Sequence, residues 1–167
     1  MQIESMQIER MQIEPLDPGH ERAGFRCGIP SFDKYFHAQA RRDKTKNLAA
    51  VFVGVLPGGK IAGFYTLSAA TLLLPDLLGA GRRPVSRYPP LRAARLTRLA
   101  VDKRHRGQGL ARALLDDAFQ RLRNSAGKPL AMIADAQNEA ALRFLTHSGF
   151  QSFADHPNRA FRMMDVA

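Results

Sequence analysis

Arg104-His105-Arg106-Gly107-Gln108-Gly109-Leu110-Ala111 is the stretch on which the reading of this chain turns. Before it, residues 95–101 alternate Leu96, Arg98, Ala100 against Arg95, Thr97, Leu99, Val101, the two-residue period of a strand. After it, Leu110, Leu114, Leu115, Ala118 and Leu122 recur at helical spacing, which predicts an amphipathic helix over 107–123. Glycines between a strand and a helix let the backbone turn tightly and approach a ligand closely. The first N–H groups of that helix have no partner within it, and with the helix dipole they form an anion site. Arg104, Arg106 and Arg112 add positive charge, so the segment suits a pyrophosphate. The dinucleotide pattern Gly-x-Gly-x-x-Gly fails because residue 112 is Arg, and no Gly-Lys-Ser/Thr loop is present. What remains is Arg-x-x-Gly-x-Gly.

Outward from this loop the elements alternate. Residues 31–41 read as a helix, with Phe32, Tyr35, Phe36 and Ala40 on one face. Residues 48–55 and 60–69 flank the turn Pro57-Gly58-Gly59 and predict a hairpin. Residues 72–93 carry Pro75, Pro84, Pro89 and Pro90 and read as a long irregular loop. A short strand over 130–134, a helix opening at Asp135 or Ala136 and running to His147, and strands over 150–153 and 160–163 close the chain. The β-α-β-α-β-β order of the second half predicts an α/β fold, with a partly parallel sheet flanked by helices.

The first fourteen residues repeat Met-Gln-Ile-Glu at a period of five, which matches neither helix nor strand. They are therefore set aside as a repetitive extension, 1–14, leaving 15–167 as the domain. No apolar run reaches the length of a membrane helix, no leader is evident, and Cys27 is the single cysteine, so the chain reads as cytoplasmic. With one cysteine and five scattered histidines, no metal site is expected. The formal charge is +10, and residues 79–128 hold thirteen Arg and Lys against three Asp, which accounts for the whole excess. Such a field favours polyanions, or serves only as a solvated surface.

Arg104-x-x-Gly107-x-Gly109 resembles the acyl-CoA pyrophosphate motif of the GNAT N-acetyltransferase superfamily, and Asn138-x-x-Ala141-x-x-Phe144 followed by Gly149-Phe150 resembles that superfamily's last helix. The resemblance implies a GNAT fold, acetyl-CoA as acetyl donor, and a cofactor site built from Leu99, Ala100, Val101, Arg104, Arg106, Gly107, Gln108, Gly109, Leu110, Ala111, Asn138 and Phe144. Phe25-x-Cys27, Phe32-Asp33-Lys34-Tyr35, residues 62–68, Arg87-Tyr88-Pro89, residues 98–102 and Leu115-x-Asp117-Ala118 are similar to one branch of it. That branch comprises the acetyltransferase toxins of type II toxin–antitoxin modules, which acetylate aminoacyl-tRNA. The resemblance implies charged tRNA as acceptor, with Arg82, Arg83, Arg87 and Arg92 on its phosphates. It also implies a small ribbon-helix-helix antitoxin as partner and allows a homodimer.

The chain departs from that branch at one position. The branch carries a tyrosine after the phenylalanine of the last helix, read as the general acid that protonates the leaving thiolate. Here Leu145 follows Phe144. A general acid contributes about 10²–10⁴-fold, so its loss implies a slower enzyme rather than an inert one. Tyr65 is the candidate substitute, ahead of Ser68; His147 lies about 200° round the helix from Leu145, and Tyr88 belongs to the long loop. Two alternatives stay open: a housekeeping N-acetyltransferase for a protein or small amine, and a degenerate domain that binds acetyl-CoA without turnover.

Overall fold

The structure is a computed structural model that describes residues 10–73 and 90–164. Its strands are β1 (Gln12–Pro15), β2 (Ala50–Val55), β3 (Ile61–Leu72), β4 (Leu91–Val101), β5 (Ala131–Asp135), β6 (Gln151–Phe153) and β7 (His156–Met163). Its helices are α1 (Pro30–Ala38), α2 (Ala40–Thr45), α3 (Leu110–Arg123) and α4 (Glu139–His147). The strands form one mixed sheet in the order β1-β2-β3-β4-β5-β7-β6, with β4 and β5 parallel. The α/β class read from the sequence is therefore correct. No helix among the described residues is long and apolar enough to cross a membrane.

The chain divides into two compact units, Met1–Leu67 with Arg98–Gln120 and Ser68–Thr97 with Arg121–Ala167. In the first, β2 and β3 pair antiparallel, with Val53 opposite Phe64 and Gly54 opposite Gly63. Alternation sends these two pairs to opposite faces. Val51, Val53 and Phe64 join Phe25, Phe32, Tyr35, Phe36 and Ala40 in one core cluster beneath α1 and α2. Phe36 stacks on Phe64 at 4.3 Å, and Phe25 meets Phe36 edge-on at 4.9 Å.

The other face receives α3. A methyl group at Gly63 would lie 2.7 Å from the Ala100 carbonyl oxygen and 2.7 Å from Leu114 Cδ1. Only glycine lets β3, β4 and α3 come this close. Gly63→Ala is expected to cost about 1–3 kcal/mol through overpacking, read as a lower midpoint in urea at unchanged slope. The inner stripe of α3 is Leu110, Leu114, Leu115, Ala118 and Phe119, so Phe119 takes the buried place expected of Leu122.

The second unit pairs the first half of β4 with β5, β5 with β7 and β7 with β6, around Leu72, Ala93, Ala131, Ile133 and Phe153. Helix α4 begins at Glu139 rather than at Asp135 or Ala136: Asp135 ends β5, and the Asn138 side chain caps the helix by accepting the Ala141 N–H at 2.8 Å. It ends at Gly149, whose φ of +90° suits glycine, with the Phe150 and Gly149 N–H groups donating to Leu145 and Thr146 carbonyls.

The repeat is the main correction. Gln12, Ile13 and Glu14 of its third copy, with Pro15 after them, form β1, the edge strand, paired with Val55–Phe52 of β2, and Met11 is buried. A tetrapeptide too short to show a period acquires its conformation from the neighbouring strand. The single helix expected over 31–41 is two helices that part at Gln39, and β4 and β7 each start four residues earlier than expected.

Candidate active site

The anion-binding turn is held from below by a buried carboxylate. Asp102 ends the extended run of β4 and caps the short helical turn Lys103–His105, accepting the Arg104 N–H at 2.9 Å. Its side chain, 1% exposed, also accepts the Arg26 N–H at 3.1 Å and the Arg104 guanidinium at 2.9 and 3.1 Å. Lys103 N–H donates to the Arg26 carbonyl, and Arg104 Nη2 to the Gly24 carbonyl. Arg106 donates to the Cys27 carbonyl. The segment 24–28 is thereby tied to the loop at successive points. Gly28, at φ +96°, lies so near Arg106 that a Cβ there would stand 2.5 Å from Nη2.

Burial alone would raise the Asp102 carboxyl, but the hydrogen bonds from Arg104 and from the Arg26 N–H outweigh it and hold the group at about 2. A carboxyl depressed in the folded state adds stability above its ordinary value near 3.8, and that stability is lost as pH falls through about 2. The gap corresponds to about 2 kcal/mol. Asp102→Asn is expected to lower unfolding free energy by that order at pH 7. The difference from the parent chain should shrink between pH 4 and 2, followed by urea titration at each pH. A constant difference across that range would refute the assignment.

Gly107 and Gly109 take φ of +76° and +77°, the left-handed region where a side chain is strained. No atom lies within 4 Å of a Cβ built on Gly107, so the turn presents bare backbone to open space. Helix α3 starts at Leu110, and the Ala113 N–H makes its first backbone bond to Gly109 O at 3.1 Å. The N–H groups of Leu110, Ala111 and Arg112 thus precede the helical ladder. Gln108 Oε1 is buried with no hydrogen-bond partner. An open turn followed by N–H groups that lie outside the helical ladder fits a diphosphate.

Residues 19–150 match the acetyltransferase (GNAT) family. The chain belongs to the GNAT family. A probable toxin TacT of Sinorhizobium fredii is 30% identical over 160 residues, 89% of this chain and 88% of its own length. A tRNA-acetylating toxin of Mycobacterium tuberculosis is 30% identical over 145 residues, 86% of each chain. Among solved structures, AtaT complexed with acetyl-methionyl-tRNAfMet shares the fold, with a TM-score of 0.80 at 22% identity over 92% of this chain and 94% of that one. AtaT has also been solved bound to the C-terminus of its antitoxin AtaR, and AtaTR with acetyl-CoA.

Within this GNAT unit the predicted cofactor residues fall as follows. Gly107, Gln108, Gly109, Leu110 and Ala111 form the turn itself, and Ala100 is buried on β4 between the half-buried Leu99 and Val101. The Arg104 guanidinium is hydrogen-bonded to Asp102 and to the Gly24 carbonyl and braces the loop. Tyr65 is a correction. It is fully buried, stacks on Phe52 at 5.1 Å, and its hydroxyl donates to Asp117 of α3 at 2.5 Å, so it joins sheet to helix instead of meeting an acceptor. Asn138, Phe144 and Leu145 belong to the second unit, where Leu145 is the buried residue of α4. Arg92 is exposed, with its guanidinium 3.5 Å from the Gly127 carbonyl. Arg82, Arg83 and Arg87 lie outside the described residues.

Sequence reasoning missed the clasp of Asp102 with residues 24–28. One signal was available, because Asp102 is the only acid between Arg98 and Arg112. Cys27 enters the sequence reading as the single cysteine and, in Phe25-x-Cys27, as one piece of the resemblance. It is 5% exposed, and burial foremost pushes its thiol up to about 11, so it is inert.

Proposed function

We propose that the chain transfers the acetyl group of acetyl-CoA to the α-amino group of an aminoacyl-tRNA and so acts as a translation-blocking toxin. The reading is supported above all by the near full-length likeness to the tRNA-acetylating toxin. The backbone at Gly107–Ala111 holds the diphosphate of acetyl-CoA, with Arg106 and Arg112 supplying charge. Acetyl-CoA brings an activated thioester when bound. A β4 amide near Leu99–Val101 stabilises the oxyanion, and Asn138 and Phe144 line the path of the pantetheine arm. The amine of an aminoacyl ester is less basic than a lysine amine, so it reaches the neutral state without a strong base. Orientation then supplies much of the acceleration.

Leu145 leaves the thiolate without a side-chain proton donor, and turnover is correspondingly slow. The partner is a small ribbon-helix-helix antitoxin. The test is transfer of radiolabelled acetyl from acetyl-CoA to a panel of charged tRNAs, with deacylated tRNA, free amino acids and lysine peptides alongside. Label confined to charged tRNA supports the reading. Label on peptides or small amines alone moves the chain to the housekeeping class. Binding of acetyl-CoA with no transfer to any acceptor identifies a degenerate domain, the alternative that Leu145 favours.

A further inference from the structure

We propose that the outer surface of α1 and α2 docks the phosphodiester backbone of the tRNA body, an inference that rests on the tRNA reading above. Residues 33–46 carry five Lys and Arg against two Asp, a local excess that is lost in the sum because the charges outside residues 79–128 cancel as a whole. In the fold they do not cancel locally. Asp33 is spent on the Cys27 N–H at 2.8 Å, and Asp43 on the hydroxyl of buried Tyr35 at 2.9 Å. Arg98 lies over the same Tyr35 ring at 3.5 Å. Lys34, Arg41, Arg42 and Lys46 remain exposed, and among the described residues their side chains have no ion pair or hydrogen bond. Lys44 is the exception, since its ammonium donates to the Leu16 carbonyl.

The occupant follows from what the surface lacks. Interfaces with proteins are anchored by aromatic and apolar side chains at their centre. Here Phe32, Tyr35 and Phe36 all point into the core, and apart from Pro30 at the start of α1 the outward positions of both helices are polar, cationic or alanine. Leu48, beyond α2, is the one large apolar side chain exposed nearby. Cations on a polar surface suit phosphates, which position a nucleic acid without reading its sequence. At 1.5 Å per residue the two helices extend over about 20 Å if laid end to end, enough to meet more than one phosphate.

The experiment compares the full chain with the variant Lys34→Gln/Arg41→Gln/Arg42→Gln/Lys46→Gln. Filter binding of deacylated tRNA is measured over a range of KCl, with acetyl-CoA affinity and thermal midpoint as controls. The variant is expected to bind tRNA at least tenfold more weakly at fixed salt. Its slope of log K against log salt should be shallower by about two to three, since each lost phosphate contact removes roughly 0.7–0.9. Acetyl-CoA affinity and folding should not change. An unchanged affinity and slope overturns the proposal while leaving the proposed function standing. Loss of binding to a poly-glutamate peptide with tRNA binding intact also overturns it and assigns the surface to an acidic protein partner. A parent chain that neither binds nor acetylates tRNA overturns both readings together.

Discussion

Gly109→Glu should abolish acetyl-CoA binding while leaving the fold in place. The φ of +77° at this position disfavours any side chain, and the residue immediately precedes the first free N–H groups of α3. Glutamate adds bulk where the diphosphate approaches and a like charge beside its oxygens. Calorimetry should show affinity reduced by a factor of at least 100, with far-ultraviolet dichroism unchanged. Gly109→Ala separates the contributions, because it keeps the strain without the charge and should retain weak binding. Unaltered affinity in the glutamate variant would remove the turn from the site.

Leu145→Tyr should act in the opposite direction and accelerate transfer. Residue 145 follows Phe144 by about 100° and shares a helical face with Ala141, one turn earlier. The family resemblance implies a tyrosine at this position. We expect single-turnover transfer to charged tRNA to rise by up to the order of 10²-fold, the contribution of a general acid. The position is only 4% exposed, so the larger side chain should also cost about 1–3 kcal/mol of stability. Both quantities should be measured on one preparation. A destabilised chain with no faster transfer would mean that Leu145 is a core leucine and that the proton comes from elsewhere.

The sequence revealed most where structure is local. The Arg-x-x-Gly-x-Gly turn and the apolar period of α3 are written in neighbouring residues, and both lie where they were expected, except that α3 opens at Leu110 instead of Gly107 and buries Phe119 in place of Leu122. It revealed least where one segment borrows its conformation or its charge partner from another. β1 exists because β2 offers an edge, which no property of Met-Gln-Ile-Glu announces. Arg104 sits in the motif and looks like a phosphate ligand, yet the carboxylate two residues before it and the Gly24 carbonyl claim its guanidinium. Tyr65 reads as either core or site, and only the position of Asp117 on α3 decides it. The sum of charge outside residues 79–128 likewise passed over the local excess of residues 33–46, and whether Asp33 and Asp43 neutralise a neighbouring lysine depends on which way they turn.

The inertness of Cys27 has a practical consequence. A chain whose only thiol is buried, with its ionisation pushed up to about 11, behaves toward maleimides near neutral pH as though it had no cysteine. A reporter cysteine placed at an exposed, uncharged position such as Ala38 could therefore carry a fluorophore without background labelling and without replacing Cys27. Fluorescence of that dye would then follow the approach of an RNA to the helices directly, on a protein otherwise unaltered.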